Sequence, residues 1–195
     1  LAERDKPVVI GITGASGSIY AKKILEVLNE LEFKVFAVFS KTGREVFKYE
    51  LEIEPEEFVG KLRNVEMIDS ENLFASISSG SFPILGMAVI PCSMNTLSCI
   101  SKGIVRNLIH RTAEVCLKER KPLVLVPREF PLNKIHIENM LSVVEAGAVL
   151  IPASPSFYSK PKTIEELVMT VIDRVLVHLT GENFNLSPAW TQGTQ

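Results

Sequence analysis

Aspartate is scarce in this chain. Asp5, Asp69 and Asp173 are the only three, and they stand far apart, so an aspartate-rich cluster that would hold magnesium around a diphosphate cannot be assembled. Histidine is equally sparse: His110, His136 and His178 include no pair at metal-ligand spacing. Cys92, Cys99 and Cys116 contain no Cys-x-x-Cys and are odd in number, which fits reduced, buried thiols rather than a disulfide framework or structural zinc. We therefore expect no metal. No apolar run approaches the roughly 20 residues of a membrane span, and the charged opening LAERDK does not look like a signal peptide. The expectation is a cytoplasmic protein. A net charge of −2 leaves no basic excess to attract nucleic acid.

What is present is ordinary globular material: 195 residues, 46% of them hydrophobic, enough for a sizeable core. We expect one domain over 1–195, its core over about 7–180 and a C-terminal tail over 181–195. Short β-rich runs alternate with amphipathic helices. PVVIGIT, KVFAVFS, GMAVIPCS, PLVLVP and AVLIPAS read as strands, and VEMID as an edge strand. Between them, SIYAKKILEVLNEL places Ile24, Leu25, Leu28 and Leu31 on one helical face. Capping boxes are expected at Thr42/Glu45 and Thr163/Glu166, and a helix-ending glycine at Gly147. Near-continuous apolar strands separated by helices predict a doubly wound α/β domain with a parallel sheet covered on both faces. In such a sheet ligands collect beyond the carboxyl ends of the strands, so the strand exits are where chemistry is sought.

The first exit, GITGASGSIY, spaces Gly11, Gly14 and Gly17 three apart. That is neither G-x-G-x-x-G nor a nucleoside-triphosphate loop. Its small residues at a helix start could admit one phosphate, or form a plain turn. Ser40 ends the second strand, where a serine serves a helix cap or a ligand. PCSMNTLS crowds Ser93, Asn95, Thr96 and Ser98 around one helix start, more hydrogen-bonding groups than a cap requires. On the following helix Arg111 and Lys118 lie seven apart with Glu114 between them, also the pattern of a solvated face. PRE then sets Arg128 beside Glu129 at the next exit. Tyr158 lies in a Pro-rich loop, as a packing residue or a contact. Arg174 borders the apolar stripe of the last helix and needs an anion or a route to water; His178, in that stripe, reads as a core histidine. Spacing alone leads to a protein that binds phosphorylated ligands, without naming a reaction.

Nearly the whole chain, from GITGASGS through SGS and PCSMNTLS to NLIHRTAEVCLKERKPLVLVPRE and IPASPSFYSKPKTIEEL, resembles the UbiX-type flavin prenyltransferases. The resemblance implies a flavodoxin-like, Rossmann-type three-layer sandwich that binds flavin mononucleotide (FMN). It implies transfer of a dimethylallyl group from dimethylallyl phosphate to N5 and C6 of reduced FMN, without a metal, and delivery of the prenylated flavin to a UbiD-type decarboxylase. A homo-oligomer, commonly a dodecamer, with sites at subunit junctions, is also implied. Carried over by motif, Gly14, Ala15, Ser16, Ser40, Ser93, Met94, Asn95, Thr96 and Arg128 should hold the flavin. Lys118, Tyr158 and Arg174 should grip the prenyl phosphate, with Arg111 reaching in across a subunit contact and Ser79 and Ser81 helping to close the site. Glu129, Ser16 and Glu50 should move protons. Two features depart from the pattern: Leu73-Phe74 before SGS, and Asn95, which resembles the PASANT motif of FMN-dependent cysteine decarboxylases. That activity is one alternative, opposed by the lack of any histidine before His110 and of a Met-rich clamp. A flavin reductase or passive flavin binder on the same scaffold is the other, opposed by the Lys118, Glu129, Tyr158 and Arg174 set.

Overall fold

The structure, a computed structural model, describes residues 5–187. Of the expected tail, 188–195 lie outside the described residues. Six parallel strands form one sheet: β1 (Val8–Ile12), β2 (Val35–Phe39), β3 (Val65–Asp69), β4 (Gly86–Cys92), β5 (Leu123–Pro127) and β6 (Val149–Leu150), in the order β3-β2-β1-β4-β5-β6. The chain winds outward from β1 to β3, then returns to β1's other side with β4. Val8 therefore pairs with Val35 on one flank and Gly86 on the other. The doubly wound sheet and the edge position of VEMID are as expected.

Alternation along the buried strands divides the core in two. Val8, Ile10 and Ile12 face one layer with Val124 and Val126; Val9 faces the other with Leu123 and Leu125. The first layer is closed by α1 (Ser18–Glu30), through Ile24, Leu25 and Leu28, and by α7 (Ile164–Thr180), through Val168, Ile172, Val175 and Leu179. α2 (Lys41–Leu51) and α3 (Pro55–Val59) add Phe47 and Phe58. The second layer holds α4 (Met94–Ser101), α5 (Leu108–Lys118) and α6 (Lys134–Glu145), with Leu97, Ile109, Ala113 and Val143 buried. Each fully buried Leu or Ile contributes about 1.5–3 kcal/mol by leaving water. The opposite placement of α5 and α7 matters for the site.

Several helix ends differ from expectation. Ser40, not Thr42, caps α2, accepting from the Gly43 N–H at 3.0 Å. Thr163 does cap α7, but the Glu166 carboxylate reaches back one residue further, to the Lys162 N–H. α6, by contrast, ends as expected, with Gly147 at φ +103° directly after the Ala146 cap. His178 is exposed rather than in the core, because α7 turns that position past the edge of the apolar stripe, beside Arg174.

One buried hydroxyl joins the two halves of the sheet at their exits. Thr13, 2% exposed, donates to the Pro91 carbonyl at 2.8 Å and accepts from the Ser93 N–H at 2.7 Å. Thr13→Val keeps the shape but strands the Ser93 N–H and leaves the Pro91 carbonyl with only the Thr13 N–H, at 3.3 Å. We predict a loss of about 1–3 kcal/mol in urea unfolding with an unchanged m-value; stability equal to the parent's would show that the hydroxyl is dispensable.

Candidate active site

The order reverses between β1 and β4, and the exits of these strands open side by side. The turn after β1 is pressed against α2. A Cβ on Gly14 would come within 2.5 Å of Thr42 Cγ2, and one on Gly43 within 2.4 Å of the Ile12 carbonyl oxygen. Only residues without side chains allow this approach. Ala15 is buried, and its N–H turns back to the Thr13 carbonyl at 2.9 Å.

The start of α1 is not the open phosphate cradle that the glycine spacing allowed. Gly17 sits at φ +115° with no side-chain cap. The carboxylate of Glu50, from the last turn of α2, supplies one instead, accepting from the Gly17 N–H at 3.0 Å and the Ser18 N–H at 2.7 Å. Partial burial pushes the Glu50 carboxyl up; hydrogen bonds from Ser16 and Ser18 and their backbone neighbours outweigh it and hold it below the usual carboxylate range. Ser16 and Glu50, distant in sequence, are thus brought together.

At the β4 exit Ser93 caps α4. Its hydroxyl oxygen accepts from the Thr96 N–H at 3.2 Å and lies 3.1 Å from the Thr96 hydroxyl. Met94 and Thr96 are buried, whereas Asn95 is exposed. Burial pushes the neighbouring Cys92 thiol up to about 12, so it is no nucleophile. At the β5 exit the Arg128 guanidinium lies 5.3 Å from the Phe130 ring centroid, and Glu129 Oε1 accepts from the Phe130 N–H at 3.0 Å. The neighbours Arg128 and Glu129 face away from a simple ion pair. They line a cavity of about 460 Å³ that reaches Ser154.

Ser154 also lines a second cavity, of about 400 Å³, walled by Tyr158 and Arg174. Thus Arg128, Glu129, Tyr158 and Arg174 occupy adjoining concavities. Lys118 and Arg111 do not join them within one chain. Arg111 donates to the Ser78 carbonyl at 3.0 Å and pairs with Glu114 at 2.7 Å; Lys118 pairs with Glu119 at 3.1 Å rather than with Glu114. Ser79 and Ser81 share a hydrogen bond of 2.9 Å in the same turn, where Gly80 packs against Lys118 and Glu119. Within one chain Lys118 does not stand with Tyr158 and Arg174, because α5 covers the layer opposite α7. Sequence reasoning places Thr13 in the polar turn after β1 but not its bridge to β4, and it assigns Asp173 no place at the site; a carboxylate next to Arg174 in an apolar stripe was the available signal.

Residues 2–176 match the Flavoprotein family. Flavin prenyltransferase UbiX of Aquifex aeolicus is 46% identical over 185 residues, which cover 94% of this chain and 97% of that protein. The chain belongs to the UbiX-type flavin prenyltransferase family. Its fold matches the crystal structure of AnUbiX (PadA1) in complex with FMN and dimethylallyl pyrophosphate with a TM-score of 0.91 and 39% identity, covering 97% of this chain and 100% of that one. A dodecameric FMN-dependent UbiX-like decarboxylase from Escherichia coli O157:H7 gives 0.89 and 36% identity, covering 95% and 100%. Among the described residues no group of His, Cys, Asp and Glu could hold a metal, and no helix is long and apolar enough to cross a membrane.

Glu50 provides a pH-dependent prediction. A depressed folded-state pKa contributes stability that is present above the unfolded carboxylate value and is lost as pH falls through the folded one. Glu50→Gln should destabilise by about 1 kcal/mol near neutral pH, as losing a helix cap does. Denaturant titrations should show the gap between variant and parent closing as pH drops below about 4. A gap that persists in acid would exclude the charged cap.

Proposed function

We propose that the chain is a flavin prenyltransferase that moves a dimethylallyl group from a prenyl phosphate to N5 and C6 of reduced FMN, yielding prenylated FMN for a UbiD-type decarboxylase. The observation that carries this reading is the meeting, at Ser154, of the Arg128/Glu129 cavity with the Tyr158/Arg174 cavity. A cation and a phenol beside a second cation and a carboxylate suit a phosphate leaving group next to a proton-transfer group.

The residues fit FMN. Gly14 leaves the β1 turn without a side chain where any Cβ would strike Thr42, and Ala15, Ser16, Ser40, the Ser93–Thr96 turn and Arg128 ring the adjoining exits. These would hold the flavin, which supplies the nucleophilic ring atoms when bound. As the carbon–oxygen bond of the donor breaks, Arg174 and Tyr158 absorb charge gathering on the phosphate, a task that needs no metal. Glu129 hands the departing phosphate a proton. Glu50, kept ionised by its donors, and Ser16, which bonds to it, take up the protons lost from N5 and C6, and the prenyl double bond gains one as its far carbon bonds to C6.

Arg111, Lys118, Ser79 and Ser81 act on a neighbouring subunit's donor site in this reading. Their place on the opposite layer from Tyr158 and Arg174 supports an oligomeric enzyme, and one similar structure is dodecameric. Cysteine decarboxylation is disfavoured, because no histidine precedes His110. A passive flavin binder would not require the Tyr158/Arg174 cavity.

Anaerobic incubation with reduced FMN and dimethylallyl phosphate should produce flavin heavier by one prenyl unit in the mass spectrum; an unchanged flavin mass contradicts the proposal. Glu129→Gln should retain FMN binding while transfer slows by about 10²–10⁴-fold, the range for a positioned proton-transfer group. Parental turnover in that variant would remove Glu129 from the mechanism.

A further inference from the structure

The Ser79–Ser81 turn is anchored at both ends and exposed between them. Ile77 is fully buried, and the Phe82 ring lies 6.2 Å from the Phe36 ring, centroid to centroid; Ser79 and Ser81 face solvent. The carbonyls of this stretch are held from α5 and from the segment that follows it. Thr112 Oγ1 donates to the Ile77 carbonyl at 3.4 Å, and Arg111 Nε to the Ser78 carbonyl at 3.0 Å. Past the helix end Arg120 adopts φ +53°, and the Lys121 N–H returns to the Cys116 carbonyl at 2.9 Å. Lys121 Nζ then donates to the Gly80 carbonyl at 3.3 Å and to the Phe82 carbonyl at 2.9 Å. One ammonium thus holds the carbonyls on either side of Ser81.

We propose that Lys121 is a positioning residue for the donor site: its ammonium fixes the Ser79–Ser81 turn against Lys118, so that the turn is already shaped when the prenyl phosphate arrives. The inference rests on the reading that this turn closes the donor site. Gly80 packs so closely that a Cβ there would come within 2.4 Å of Glu119 Oε1 and 3.1 Å of Lys118 Nζ. Holding the Gly80 carbonyl therefore holds the turn on the Lys118–Glu119 pair. Because the peptide is planar and trans, a Gly80 carbonyl facing Lys121 turns the Ser81 N–H the other way. Two forces keep the ammonium in place. Its hydrogen bonds are charge-assisted, and the negative end of the α5 dipole favours a cation near its last turn. Without the ammonium, Gly80 recovers its wide backbone freedom, and donor binding must then order the turn as well. Lys121 acts through the turn rather than on the reacting atoms, so its loss falls on donor affinity and spares the chemical step.

Lys121→Met keeps an unbranched stem and removes the donors; Lys121→Arg keeps charge and donors. In the full FMN-loaded chain, kcat and KM for dimethylallyl phosphate are measured beside FMN affinity, inorganic phosphate affinity and amide hydrogen exchange over 79–82. Lys121→Met should raise KM about tenfold, the scale of fixing the backbone of one residue during binding, with kcat within about twofold and FMN affinity unchanged. Exchange over 79–82 should quicken about tenfold, and inorganic phosphate should bind about tenfold more weakly. Lys121→Arg should return all three toward the parent. Lys121→Gln should match Lys121→Met, so a failure of either to fold leaves the other to decide. Parental KM and exchange in these variants overturn the proposal. So does a raised KM that Lys121→Arg does not lower, or an equal loss of FMN affinity, which marks general damage to the fold. If the parent transfers no prenyl group, the prenyl-transfer reading fails, and exchange with phosphate affinity still decides the role of Lys121.

Discussion

The Thr13 hydroxyl bridges Pro91 and Ser93 where the strand order reverses, and it ties the exits of β1 and β4 to one another. β1 runs outward to β2 and β3 on one side, β4 outward to β5 and β6 on the other, so their carboxyl ends would splay as the sheet twists. A buried oxygen that both donates and accepts across the gap holds them in register, and the low dielectric around it strengthens both bonds. Thr13 thereby sets the Gly14–Ser16 turn against the Ser93 cap, and Ser40 joins them through its N–H to the Ile12 carbonyl at 2.9 Å.

Electrostatics at this site is arranged in an unexpected way. A helix N-terminus facing a ligand pocket ordinarily offers its N–H groups and positive dipole end to an anion. Here Glu50 occupies the first turn of α1, so the protein's own carboxylate takes the place of a ligand phosphate. The exchange leaves an ionised acid bonded to Ser16, and in the proposed reaction it leaves phosphate to the cationic and phenolic side chains elsewhere.

The parallel sheet and its edge strand VEMID were legible because strand periodicity and turn chemistry are local. So was the Ser93 cap, where four hydrogen-bonding side chains crowd one helix start. Thr13 and Glu50 show the limit. Their partners lie 78 to 80 and 32 to 33 residues away, and no local pattern announces a contact made only when the sheet closes. His178 failed for another reason: a stripe read at a fixed period did not locate its own edge. Lys118 and Arg174 were grouped by chemistry, whereas the crossover that puts α5 and α7 on opposite layers is a property of topology.

That topology divides the site. One chain presents the strand exits and the Tyr158/Arg174 cavity on one side, and Arg111, Lys118 and the Ser79–Ser81 turn on the other. The account requires the two sets to meet between subunits, and mixing two inactive variants tests this most directly. Arg111→Ala and Arg174→Ala proteins are unfolded together, refolded as mixed oligomers and assayed for prenylated flavin. A site shared between neighbours predicts recovery to about a quarter of parental activity, since half of each kind of contribution is intact. No recovery in oligomers shown to be mixed would contradict the account and place the whole site within a single chain.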